Sequence, residues 1–142
     1  MKNLLLIAVF ISSLFTTAQT TTSENEGVTI TVTIDKVRTN KGKVLFALYS
    51  EKTFMKAKPE QTTASTIEGN TVTVTFTNVP KGEYAITCVH DENDNGRMDF
   101  EETGMPKEDY GMSNNPMSYG PPEFGPSKFS VADKNLAMKI TL

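Results

Sequence analysis

From Gly27 the apolar positions recur with a period of two: Val28, Ile30, Val32 and Ile34 alternate with Thr29, Thr31, Thr33 and Asp35. That spacing places four β-branched residues on one face, which predicts a half-buried strand. Asn40-Lys41-Gly42 signals a turn, and Lys43 to Ser50 follows with Val44 through Tyr49 unbroken. An apolar run of that length predicts a central strand covered on both sides. Residues 51–58 predict one or two helical turns, ended by Pro59. Segments 61–68 and 71–77 flank Gly69-Asn70, the dipeptide of a two-residue hairpin turn, with Val72, Val74 and Phe76 on one face. A further turn is expected at Asn78-Val79-Pro80-Lys81-Gly82. A strand from Glu83 to His90 follows, with Tyr84, Ile86 and Cys88 on one face. Segments 128–131 and 135–142 close the chain, Leu136, Met138, Ile140 and Leu142 alternating on the second. About seven short strands spaced by about 8–12 residues predict a single all-β domain over residues 27–142, folded as a β-sandwich.

The pattern before Gly27 is different. Lys2 precedes an apolar run from Leu4 to Phe10 that extends through Leu14 and Phe15, and Thr16-Thr17-Ala18 supplies small residues before Gln19. This is the layout of a secretory signal peptide over residues 1–18. Ser12 and Ser13 interrupt the run, which is shorter than the roughly 20 apolar residues of a membrane span. The chain is therefore expected to be exported, periplasmic or secreted, with no membrane span once the signal is cleaved. Residues 19–26, polar throughout, read as a flexible lead-in.

Composition narrows the function. Lys plus Arg number 14 against 17 Asp plus Glu, a formal charge of −3, so the clustered basic footprint of a nucleic-acid binder is lacking. One Cys excludes an intrachain disulfide, and one His with one Cys excludes a centre built on several of either.

The acidic residues concentrate in residues 91–102, Asp91-Glu92-Asn93-Asp94-Asn95-Gly96-Arg97-Met98-Asp99-Phe100-Glu101-Glu102. The run fills every constrained place of the calcium-loop template D-x-[DN]-x-[DN]-G-x5-E. Asp91, Asn93 and Asn95 would offer side-chain oxygens, Arg97 its backbone carbonyl, Asp99 a direct or water-mediated oxygen, and Glu102 both carboxylate oxygens. Calcium is a hard cation taking six to eight oxygens, and alternate residues of a tight coil turn theirs inward. Without a cation the crowded carboxylates repel. A strand rather than a helix enters this loop, and Thr103-Gly104-Met105-Pro106 follows it, so no helix pair brackets it. The loop is similar to the D-x-N-x-N-G-x-x-D loops of exported prealbumin-like and surface-adhesin sandwich domains, and the expected fold is an immunoglobulin-like or prealbumin-like sandwich. There the resemblance implies an ion that stiffens the module and catalyses nothing.

Residues 103–127 hold five of the seven prolines, together with Met105, Tyr110, Met112, Met117, Tyr119 and Phe124. The aromatic and thioether side chains call for burial or a partner, so one long ordered loop over an end of the sandwich is expected. Tyr110, Asn114, Asn115, Tyr119 and Phe124 are its candidate ligand-binding residues, for an envelope protein, peptide or glycan. Three runs together carry a family resemblance: Val89 through Asp99, Gly104-Met105-Pro106-Lys107-Glu108, and Tyr110 through Asn115 with Gly120-Pro121-Pro122 and Phe124. With Pro80-Lys81-Gly82-Glu83-Tyr84 before them, the chain resembles bacterial domain-of-unknown-function family 2141 over residues 28–142. The resemblance implies an exported β-sandwich and no activity.

Cys88 and His90 share a strand face, and with Met98 or Met105 they compose a second candidate, a copper or zinc carrier. Two ligands do not make a site, and a buried thiol beside a strand-end histidine is the simpler expectation. A hydrolase using Ser113 and His90 has no nucleophile-elbow pattern behind it. The expectation is a non-enzymatic, calcium-stabilised module, with an envelope enzyme or metal carrier as the alternative.

Overall fold

The computed structural model describes residues 27–117 and 120–142. The expected signal peptide, the lead-in and Tyr119 lie outside the described residues. Two β-sheets pack face to face. One has three strands in the order β4-β1-β8, with β1 Val28–Ile34, β4 Val72–Val79 and β8 Leu136–Lys139. The other runs β3-β2-β5-β6, with β2 Lys43–Ser50, β3 Gln61–Thr66, β5 Gly82–Asp91 and β6 Tyr110–Met112, and β7 Phe129–Val131 pairs with β5 beyond β6. The single helix among the described residues, α1 Phe124–Ser127, is one turn long.

The period-two pattern becomes the core directly. Ile30, Val32 and Ile34 of β1, Val72, Val74 and Phe76 of β4, Val44, Phe46 and Leu48 of β2, and Ile86 and Cys88 of β5 are all buried in one cluster between the sheets. Alternation puts every second side chain inside, the arrangement that two packed sheets require.

Four expectations are changed by the fold. The Gly69-Asn70 turn forms, with both residues left-handed at φ 58° and 62°. The ladder it closes is only the Glu68–Thr71 bridge, after which β3 joins β2 in one sheet and β4 joins β1 in the other. The strands part because β3 carries Thr, Ala and Ser with no apolar face, whereas β4 carries a full one and is drawn to β1. Secondly, β4 does not stop at Asn78. A bulge with Asn78 at φ 54° adds one residue against β1, so Phe76 and Val79, three apart, both point into the core. Thirdly, residues 51–58 form hydrogen-bonded turns rather than a helix, because Met55 sits at φ 52°. Finally, the expected loop of residues 103–127 contributes β6, which pairs with β5, and the one-turn α1; after it β7 pairs with β5, and β8 lies parallel to β1.

The outer face of the larger sheet is not left to solvent. Phe54, Ala85 and Met112 make a second buried cluster there. The Phe54 ring meets Tyr49 and Phe124 edge-on, each at 5.6 Å between centroids. Gly111 lets the C-terminal segment close over β6, since a Cβ there would stand 2.2 Å from the Thr141 carbonyl oxygen.

Gly42 couples the start of β2 to the end of β5: at φ 66°, its Cβ would meet the Asp91 carbonyl oxygen at 1.9 Å. Gly42→Ala should lower the unfolding free energy by about 2–4 kcal/mol in urea titration. Gly69→Ala, equally left-handed but facing open space, should cost about 1 kcal/mol.

Candidate metal centre

Strand β5 delivers the acidic loop. Its last residues, His90 and Asp91, are both fully buried and pair with Val44 and Lys43 of β2. Each carboxylate oxygen of Asp91 accepts a backbone N–H from further along the loop, Oδ1 from Asn95 at 3.0 Å and Oδ2 from Gly96 at 2.8 Å. The chain coils around that carboxylate, with Asp94 at φ 60° and Gly96 at φ 82° supplying the left-handed steps. Asn93 Oδ1 accepts from Asn95 N, and Asn95 Oδ1 from Arg97 N. Both asparagine amides also converge on Asp99 Oδ2, at 2.6 and 2.7 Å.

This set tests whether a cation suits the loop. Its oxygens belong to two carboxylates and two side-chain amides, the hard kind that calcium takes, with no thiolate or imidazole among them, and the amides turn their nitrogens to Asp99 and their oxygens to backbone N–H groups. Each amide oxygen accepts one N–H and retains a second lone pair. Among the described residues, no group of three or more His, Cys, Asp or Glu side chains is arranged to hold a metal ion. The loop's own set depends instead on its two amides.

Glu102 is placed elsewhere. Phe100 bridges Pro106, Gly104 N–H bonds to Glu101 O, and this small hairpin carries Glu102 on its exposed tip. Among the described residues no hydrogen bond or ion pair joins Glu102 to the loop. The last place of the template is brought inward when a helix leaves the loop, and Pro106 with Gly104 leaves no helix here. The carboxylate that does reach the loop is Glu108, which is buried. Its Oε1 accepts from Glu92 N at 3.2 Å and its Oε2 from Asp99 N at 3.1 Å, clamping the two ends of the coil. Spacing from Asp91 could not have revealed Glu108, because the intervening hairpin sets its position.

Charges outside the coil hold it to the sheet. Lys43 Nζ lies 2.5 Å from Asp94 Oδ1, and this pairing raises the Lys43 pKa despite some opposing desolvation. Arg38 reaches Glu92 and Asp109 at 3.4 and 3.5 Å. His90 Nε2 stands 2.8 Å from the Lys41 carbonyl, so it carries the hydrogen. Nδ1 is buried without a hydrogen-bond partner, 3.8 Å from Glu92 Oε1.

The soft-metal and hydrolase candidates find different surroundings. Cys88 is buried, its thiol pushed up to about 12 by desolvation, and it donates to the Gly111 carbonyl. Ser113 accepts from Ile86 N and donates to Ser127 O, with no hydrogen bond to His90.

Of the candidate ligand-binding residues, Asn114 spends its amide on the Lys128 carbonyl. Asn115 grips Lys139 O and Thr141 N. Phe124 packs on Phe54, and Tyr110 lines a cavity against the larger sheet.

The family model described as "Uncharacterized protein conserved in bacteria (DUF2141)" matches residues 32–139, which contain the sandwich, the acidic loop and the segment that covers it. The chain belongs to this family. No curated protein and no solved structure matches it.

Two measurements probe this geometry. In chelator, Glu108→Ala should destabilise the fold by about 3 kcal/mol, since two backbone N–H groups lose a charged acceptor. Glu102→Ala should stay within about 0.5 kcal/mol, as for an exposed residue free of partners. Cys88 should resist a disulfide-exchange reagent at pH 8 in the native protein and react at once in denaturant, because the thiolate is the reactive form.

Proposed function

We propose that this DUF2141 protein is an exported module of the cell envelope, stiffened by calcium in the loop that follows β5. In this reading it serves a binding or structural role through the segment beyond that loop, and carries out no catalysis. The observation that supports it most is the convergence of Asn93 and Asn95 on Asp99 beside the buried Asp91. Asp91, Asn93, Asn95 and Asp99 would hold the ion, with the Arg97 carbonyl beside them; Glu102, on the exposed tip of the hairpin, stands outside this set. The signal-like run of residues 1–18 supports export.

What a cation would contribute is charge neutralisation and crosslinking. Asp91 and Asp99 are brought into one coil, with Arg97, Lys43 and Arg38 pairing with acidic residues around it. An ion shared by both would tie the end of β5 to the start of the hairpin that carries Met105. That supplies a constraint which a chain with one Cys cannot obtain from a disulfide.

With the affinity of extracellular modules, about 10⁻⁴–10⁻³ M, calcium at about 10 mM stabilises the native state by about 1.4–2.7 kcal/mol. The melting temperature should therefore rise by about 5–15 °C over that in chelator. Asp99→Ala should remove the increment. Identical melting of the wild-type protein in calcium and in chelator would refute the calcium reading.

A further inference from the structure

A cavity of about 600 Å³ lies between the outer face of the larger sheet and the segment that follows the acidic loop. Its floor is Thr87 and Val89 of β5 with Gly111 of β6, and its cover comes from Phe100, Pro106 and the Gly120–Pro122 stretch. Four methionines line it: Met55 from the turn after β2, Met98 from the loop, Met105 from the hairpin and Met112 from β6. Tyr49 and Tyr110 add ring faces. Burial raises the Tyr49 hydroxyl pKa, so that group stays neutral at physiological pH.

Not one of the lining residues carries a charged side chain, although the neighbouring loop is densely acidic. A ligand with a formal charge would be desolvated there without a counter-charge, so the site selects against ions. The volume lies in the range of small-molecule sites, which are concave, mostly apolar and equipped with few polar groups. The polar groups here are the Thr87 and tyrosine hydroxyls. Thioethers are flexible and polarisable, and four of them around one cavity suit an apolar body of irregular or variable shape. Met55 and Met105 are 57% and 64% exposed, so the wall they form costs the fold little to rearrange around an occupant.

We infer that this cavity binds an uncharged, predominantly apolar small molecule, held by the methionines and tyrosines against the sheet. This deepens the proposed binding role and rests on it, but not on calcium. Cys88 borders the cavity with its thiol committed to Gly111 O and its pKa pushed up to about 12, so a soft metal ion lacks a ready thiolate.

The test uses N-phenyl-1-naphthylamine, a neutral apolar fluorophore, titrated with the full exported chain in calcium and again in chelator. Saturable one-to-one binding with a blue-shifted emission is expected. Met55→Glu and Met105→Glu each put a carboxylate into the wall at an exposed position. Each should weaken binding at least about tenfold, the factor that a modest loss of apolar contact represents, with the melting temperature unchanged. The anionic analogue 1-anilinonaphthalene-8-sulfonate should bind more weakly than the neutral probe. Absence of saturable binding, or binding that both variants leave intact, overturns the inference. Binding of the neutral probe without any calcium effect on melting leaves the cavity standing and removes the ion. A calcium shift without probe binding does the reverse.

Discussion

Asp91 is the group on which the functional half of the molecule depends. It is the last residue of β5, in register with Lys43, and is fully buried. A buried carboxylate must have its oxygens satisfied, and here the N–H groups of Asn95 and Gly96 do so. That requirement winds the following residues into a coil and brings Asn93, Asn95 and Asp99 together. Gly42 is the steric condition for it, since any side chain there would strike the Asp91 carbonyl.

From the coil outward, each step places the next. Glu108 ties Glu92 to Asp99, which fixes where the Phe100–Pro106 hairpin emerges. The hairpin carries Phe100 and Met105 across the outer face of the sheet, where they meet Met55 and Tyr110 around the cavity. Beyond it, Asn114 and Asn115 adopt left-handed backbone at φ 65° and 46°, and their side-chain amides bond to main-chain groups of the C-terminal segment at Lys128, Lys139 and Thr141. Residues that look like ligand-binding groups in a polar, proline-rich stretch thus serve as staples. The large apolar side chains left exposed include Met55, Phe100, Met105 and Tyr110.

The architecture separates two needs. The core between the sheets is built mostly from β-branched and aromatic residues that alternate along the strands, and at the end of β5 the loop's root, His90 and Asp91, is also buried. The outer face of the larger sheet carries a smaller cluster of Phe54, Ala85 and Met112, with the cavity beside it. Rigid packing on one side of β5 and a shaped apolar hollow on the other make that strand the junction between scaffold and site.

Local pattern was enough for seven of the eight strands and for the acidic coil, while β6 lies in the segment read as a loop. Period-two alternation is a property of neighbouring residues, and Asp91, Asn93, Asn95 and Gly96 act within one turn of chain. The family was likewise readable from runs of residues, and the match over 32–139 agrees with it. Which sheet each strand joins was not local. The Gly69-Asn70 turn predicted a hairpin, but β4 has an apolar face to bury and β3 has none, so the partners were chosen across the core. Glu108 and the cavity were equally out of reach, because both arise where segments distant along the chain meet: Glu108 against Glu92 and Asp99, and Met55 against Met105 and Met112. Sequence spacing dictates what a residue does within one turn or one strand, and burial of complementary faces decides everything between them.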